Sequence, residues 1–260
     1  MLRSMDEMKS YTVMSADNDI VGQVHDFYFD DMVWAARYMV VDLGTWLPGR
    51  KVLISSVAFD QPDWGGGVSF PVKLSQEQIE NSPSIDTDQP VSRQAEEELI
   101  RYYDWPAYWH DVTFYEAGAV GMTPEDYLHS QRKAAEAEAA HQPTAVAEAT
   151  TSPNLRSISE VIGYHIEAAD GNLGHVEDLI VDTESWTIRY LVIDTSNWWF
   201  GKKVLISPMW VDHIVWEENR VYVELNRDAI QSAPEYNPYD PINRVYENRL
   251  FDYYGRPYYW

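Results

Sequence analysis

The sequence predicts a mainly β protein made of two copies of one small domain, joined by a helical and flexible linker. Three observations carry that expectation. The chain repeats itself over most of its length. Each copy holds short β-branched and aromatic runs separated by turn signals. A stretch of unrelated, alanine-rich composition lies between them.

The repeat is found by placing Gly22 on Gly174. Without gaps, Val24 meets Val176, Asp26 meets Asp178, Asp30 meets Asp182 and Trp34 meets Trp186. Arg37-Tyr38 then meets Arg189-Tyr190, Asp42 meets Asp194, and Lys51 to Ser55 meets Lys203 to Ser207. Sixteen of the thirty-four positions from Gly22 to Ser55 are identical, more than shared composition produces. The second copy then loses one residue. The match resumes from Leu74 and Leu225 through Arg93 and Arg244, Glu96 and Glu247, and Leu99 and Leu250. It ends on Tyr102-Tyr103 with Tyr253-Tyr254 and on Tyr108-Trp109 with Tyr259-Trp260. The expected domains are therefore 1–110 and 154–260, each large enough for its own core. The linker is 111–153: Thr123-Pro124-Glu125-Asp126 reads as a helix start, and 142–153 is rich in Ala, Thr and Pro.

Within the second copy, Ala169 to Asn172 is a turn signal. Strands are expected over 174–182, 187–194, 203–207, 211–217 and 220–225, the last alternating with period two. A single helical turn is expected at 226–230, and a second short helix over 243–253. Short strands at this spacing suggest a barrel or a sandwich.

These runs carry a recognisable pattern. Asp170-Gly171, Gly174, Val176 and Asp178 to Asp182 come first. Trp186 and Ile188 to Asp194 follow, then Gly201 to Ser207. The pattern resembles the PRC-barrel family, the β-barrel domain of the photosynthetic reaction centre H subunit, of the ribosome-maturation factor RimM and of stand-alone bacterial proteins. The first copy departs from it at Asp17 to Gly22. The resemblance implies two small PRC-type β-barrels with short C-terminal helices. It implies a docking role and carries no shared catalytic motif, so function by fold analogy extends only to an accessory protein of a photosynthetic or electron-transport membrane complex.

Composition narrows the functional classes. The net charge is −23, with 19 Lys and Arg against 42 Asp and Glu. A nucleic-acid ligand needs cations to displace its counterions, so no nucleic-acid partner is expected. There are no cysteines, which removes thiolate catalysis and cysteine metal sites. No apolar leader stands at the N-terminus, and no run approaches the roughly 18 apolar residues that span a bilayer. The expectation is a cytoplasmic protein with no integral membrane segment.

Candidate chemistry is sparse. Asp26/Asp178 and Asp42/Asp194 repeat, and an enzyme could use them as acid–base groups. No other reactive side chain repeats beside them, so local hydrogen bonding is the preferred reading. No His-x-His or His-Glu-x-x-His spacing exists, so neither a metal nor a cofactor is expected. Arg50-Lys51 and Lys202-Lys203 form a small basic point, read as solvated hairpin flanks. The aromatic ends stand out: Tyr102, Tyr103, Trp105 and Trp109 in the first copy, and Tyr253, Tyr254, Tyr259 and Trp260 in the second. They read either as a partner-binding surface or as tails packed on the protein itself. The expected function is a non-enzymatic docking module with a protein partner, its two barrels paired within the chain like a dimer.

Overall fold

The computed structural model describes residues 1–44, 47–87, 90–105, 154–195 and 202–260. The expected linker at 111–153 and Trp109 lie outside them. In the first half, β1 (Leu2–Ser4) runs into a one-turn helix α1 (Met5–Met8). Then come β2 (Thr12–Met14), β3 (Ile20–Asp30), β4 (Ala35–Asp42), β5 (Lys51–Ser55), β6 (Ser69–Pro71), α2 (Gln76–Glu80), β7 (Ser84–Ile85) and α3 (Arg93–Tyr103). The second half begins with β8 (Leu155–Ser157), α4 (Ile158–Val161) and β9 (His165–Ala168). It continues through β10 (Gly171–Asp182), β11 (Thr187–Asp194), β12 (Lys203–Ile206), β13 (Val211–Val215) and β14 (Arg220–Val223). It ends in α5 (Arg227–Gln231) and α6 (Arg244–Tyr254). The strands and helices expected in this half are all present, within three residues at their ends.

The halves repeat one pairing scheme. β3 lies between β2 and β4, β5 follows on β4, and β6 joins β2 in parallel. Likewise β10 lies between β9 and β11, β12 follows on β11, and β14 joins β9 in parallel. Two separate closed barrels do not result. The described strands form one large mixed sheet, ordered β13-β14-β9-β10-β11-β4-β3-β2-β6, and its ends do not meet. The reason is where unpaired backbone groups find partners. An open edge must be covered, and here each half covers an edge of the other. β1 pairs with the far end of β10, and β8 pairs with the far end of β3.

A third contact lies between the two long hairpins. The Ala36 amide donates to the Trp186 carbonyl at 2.8 Å, and the Ile188 amide donates to the Trp34 carbonyl at 2.7 Å. Both tryptophans take the left-handed conformation, φ 52° and 57°. A bulky side chain pays roughly 1 kcal/mol or more there, and packing offsets it. Trp186 of the second half meets Phe59 of the first edge-on at 4.7 Å and lies 5.6 Å from Phe70.

The central strands are buried on both faces, which explains why β4 and β11 read as continuous apolar runs rather than alternating ones. In β4, Met39 and Val41 enter the main core, which draws residues from both halves. Tyr38 and Val40 enter a second cluster with Leu99 of α3.

Two glycines make the bulged hairpins possible. A Cβ on Gly22 would sit 2.3 Å from the Asp42 carbonyl oxygen, and one on Gly174 only 2.0 Å from that of Asp194. Both contacts are with backbone, which cannot move aside cheaply. Gly174→Ala, and to a similar degree Gly22→Ala, should therefore destabilise the chain by about 2–3 kcal/mol, as overpacked core positions do. Urea denaturation checks this, and a loss under 0.5 kcal/mol would show that the close approach is not required.

Candidate functional site

Asp26 and Asp178 are placed by the strand exchange. Ser4 ends β1 and caps α1, accepting from the Glu7 amide at 2.9 Å. Its hydroxyl donates in turn to Asp178 Oδ2 at 2.5 Å. The Asp6 and Leu179 amides donate to Asp178 Oδ1 at 3.0 and 2.7 Å. The opposite junction is built the same way. Ser157 caps α4, accepting from the Glu160 amide, and donates to Asp26 Oδ2 at 2.5 Å. Ser159 and Phe27 donate to Asp26 Oδ1. Each aspartate thus binds the entering strand and helix of the other half. Several N–H and O–H donors on one carboxylate fix its position and orientation.

The junctions differ in detail. Arg156 donates to Asp31 at 3.0 Å and lies 4.1 Å over the Trp216 ring. Its counterpart Arg3 lies 4.8 Å over Trp64, but Thr183 stands where the first half has Asp31, and no carboxylate is offered there. Asp6 brings a second negative charge to Asp178, where Ser159 brings a hydroxyl to Asp26. Burial pushes the Asp178 carboxyl up to about 6, and the Asp6 charge adds to that against its three hydrogen bonds. Burial likewise raises Asp31 to about 6, against the opposing pull of Arg156.

The second repeated pair, Asp42 and Asp194, sits at strand ends. Asp42 faces Lys51 across the β4–β5 ladder and accepts from the Gly44 amide. Asp194 faces Lys203 and lies 3.9 Å from His175. The basic point is not solvated as expected. Arg50 donates to the Ser82 carbonyl, and Lys202 to the Gln231 and Ala233 carbonyls. They close the C-terminal ends of α2 and α5, where unpaired carbonyls favour a cation. Lys51 donates to Thr87 and contacts His25 at 3.0 Å, and Lys203 pairs with Glu177.

The aromatic end of the second half folds over its own sheet. Phe251 is fully buried against Trp210, Tyr190 and the Tyr259 and Trp260 rings. Beneath the tail lies a buried carboxylate that the sequence reading did not single out. Glu247 is 3% exposed. The Tyr190 and Tyr259 hydroxyls both donate to its Oε1, at 2.7 and 2.6 Å, and Arg244 lies 3.1 Å from Oε2. Burial, then the neighbouring Tyr259 and Glu247, drive the Tyr190 hydroxyl far above its ordinary range. Arg189 stacks 4.4 Å over Tyr259. Glu96, Arg93 and Tyr38 hold the equivalent positions in the first half, with Arg93 3.0 Å from Glu96. The signal was in the repeat: Arg93/Arg244, Glu96/Glu247 and Tyr38/Tyr190 are among its identities.

The predicted partner-binding residues therefore separate. Tyr254 and Tyr259 are partly buried and pack on the main core. Tyr103 stacks on Trp105 at 4.0 Å, both against the smaller cluster under α3. Tyr102, Tyr253 and Trp260 are exposed, although Tyr102 and Tyr253 each donate to a carbonyl of α2 or α5. Among the described residues no group of three or more His, Cys, Asp or Glu is placed to hold a metal ion, and no helix is long and apolar enough to cross a membrane.

Comparison with known families then places one half. Residues 153–230 match the PRC-barrel domain family. The match begins just before β8 and ends within α5, so it takes in the exchanged strand with the sheet it leaves. No curated protein matches the chain.

The raised carboxyl at Asp178 has a definite sign. Its folded value of about 6 lies above the unfolded value of about 3.9. The folded state then binds the proton more tightly, and this group's contribution to stability falls as pH rises from about 4 to 6 and is flat above. Asp178→Asn keeps the Oδ1 acceptor and removes the charge. Its stability relative to the parent should improve by about 1–2 kcal/mol between pH 4.5 and pH 7. Chemical denaturation at the two pH values measures this, and a pH-independent difference would rule out the buried charge as the cause.

Proposed function

We propose that the chain is a non-enzymatic protein-docking scaffold in which two PRC-type halves pair within one molecule, as two subunits of a dimer would. One observation carries the reading: the reciprocal exchange of Leu2–Ser4 and Leu155–Ser157, each ending on a serine bound to an aspartate of the other half. Of the repeated carboxylates that an enzyme would need, Asp26 and Asp178 are engaged in holding this exchange, and Asp42 and Asp194 face Lys51 and Lys203 at the hairpin ends. Among the described residues, the recurring side chains at the junctions, the helix ends and beneath α3 and α6 serve packing, capping or ion pairing. What remains for function is the outer surface of a rigid double unit. A surface of net charge −23 favours basic or neutral protein partners over nucleic acid.

Because the chain has no cysteine, the pairing is testable by a single introduced disulfide. Leu2 faces Asp182 across the β1–β10 ladder, one step in from the Thr183 amide bond to the Met1 carbonyl. That places them as a non-hydrogen-bonded pair, the closer kind. Leu2→Cys with Asp182→Cys should oxidise rapidly within the monomer and raise the melting temperature. NMR relaxation of the unclamped chain should show both halves tumbling with one correlation time. Independent tumbling, or a disulfide formed only between chains, would sink the paired arrangement. The docking role is tested by affinity capture from the source organism with the clamped chain and with Asp26→Asn/Asp178→Asn. Both should retain the same partners, whereas a turnover activity abolished by the Asn pair would favour an enzyme.

A further inference from the structure

One exposed helix face differs in character between the two halves. α6 buries Glu247, Leu250 and Phe251 and exposes Val245, Asn248, Arg249 and Asp252. The spacing i, i+3, i+4, i+7 puts these four on a single outer face. The tail extends that face. The Tyr258 hydroxyl donates to Asp252 at 2.5 Å, Trp260 stacks on Tyr258 at 4.7 Å, and Arg244 covers Trp260 at 4.0 Å. Val245 is 78% exposed, and Tyr258 and Trp260 are 46% and 45% exposed. At the matching positions the first copy carries Gln94 for Val245 and Ala107 for Tyr258. The apolar exposure is thus a property of the second half and not a requirement of the fold.

Charge identifies what fits there. Residues 226–260 hold four arginines against five acids, a net charge of −1, while the other 225 residues carry −22. Two copies of so acidic a chain repel one another over most of their surface, and this face is where they can meet without that cost. Arg249 and Asp252 form no ion pair with each other or with any other described residue, although both are exposed.

A two-fold axis crossing α6 between them sets Arg249 of each copy against Asp252 of the other, twice over. It also lays Val245 towards the tail of the second copy, where Tyr258 sits. Such an interface is isologous and closes on itself. The first half cannot substitute. Its α3 carries Glu98 and Arg101 at the same two positions, so antiparallel pairing of α6 with α3 would oppose Arg249 to Arg101 and Asp252 to Glu98. We propose that the exposed face of α6 and its aromatic tail is a self-association surface, and that its partner is the same face of a second copy of this chain. This inference is independent of the docking role proposed above.

The test is charge exchange in the full chain, read by sedimentation equilibrium up to about 1 mM protein, the weak end of specific association. The parent should dimerise. Arg249→Asp and Asp252→Arg, each alone, should weaken the dimer ten-fold or more, because each turns two attractions into two repulsions. The double variant Arg249→Asp/Asp252→Arg restores opposite charges and, although it gives up the Tyr258 hydroxyl's acceptor, should dimerise at least about five-fold more tightly than either single. Val245→Gln, which installs the first copy's residue, should also weaken the dimer with the melting temperature unchanged. A parent that stays monomeric, single variants that dimerise as well as the parent, or a double variant no better than the singles would each overturn the proposal.

Discussion

The structure depends on how the open edges of two small sheets are covered. A strand with unpaired amides and carbonyls is costly when buried and hazardous when exposed. Here β3 and β10 stay paired with β4 and β11 but outrun β2 and β9 on their other edges. The surplus, Tyr28–Asp30 and Ile180–Asp182, takes a three-residue strand from the other half. The hairpin contact at Ala35 and Thr187 then makes the two sheets one. Once the edges are shared, the cores merge. The main apolar cluster runs from Met5 to Phe251 and includes α1 and α4, each directly behind an exchanged strand.

This constraint sets the chemistry that follows. Asp26 and Asp178 lie where the exchanged chain turns from strand to helix, so their carboxylates meet a capping serine and free helix amides together. The arrangement satisfies donors that a one-turn helix would leave open. It also brings carboxylates into partial burial. At Asp178 burial raises the carboxyl and the Asp6 charge adds to it, whereas Ser159 donates to Asp26. The buried Glu247 is a second case of the same economy: two tyrosine hydroxyls and Arg244 compensate its charge, and the aromatic tail closes over it. The tail is held by a polar anchor as well as by apolar contact.

Much of this was legible in the sequence, and what was not has physical causes. Strands such as Thr187–Asp194 declare themselves by β-branched content. The exchange did not declare itself. Leu2-Arg3-Ser4 repeats as Leu155-Arg156-Ser157, but three residues carry no strand period, and the matching offset differs by one from that of the main repeat. Pairing between halves is non-local and leaves no pattern in either strand. Continuous burial also hid the register. The strand β4 buries both faces, so no alternation told which side chains meet α3. Arg50 and Lys202 read as solvated because a cation closing a helix end looks, in sequence, like any hairpin flank.

The two halves constrain each other as internal controls. Where both carry the same residue, as at Gly22/Gly174, Trp34/Trp186, Asp26/Asp178 and Glu96/Glu247, the structure gives each pair an equivalent place in folding or in joining the halves. Where they differ at the junctions, as at Asp31/Thr183 or Ser159/Asp6, the exchanged strand still pairs and the polar contacts change. Differences on the outside meet no such requirement. Gln94 against Val245 and Glu98 against Arg249 alter neither the cap nor the buried face of their helices. They reverse the charge pattern of one surface and make it apolar. The outer face of α6 therefore carries residues that neither its cap nor its buried side requires.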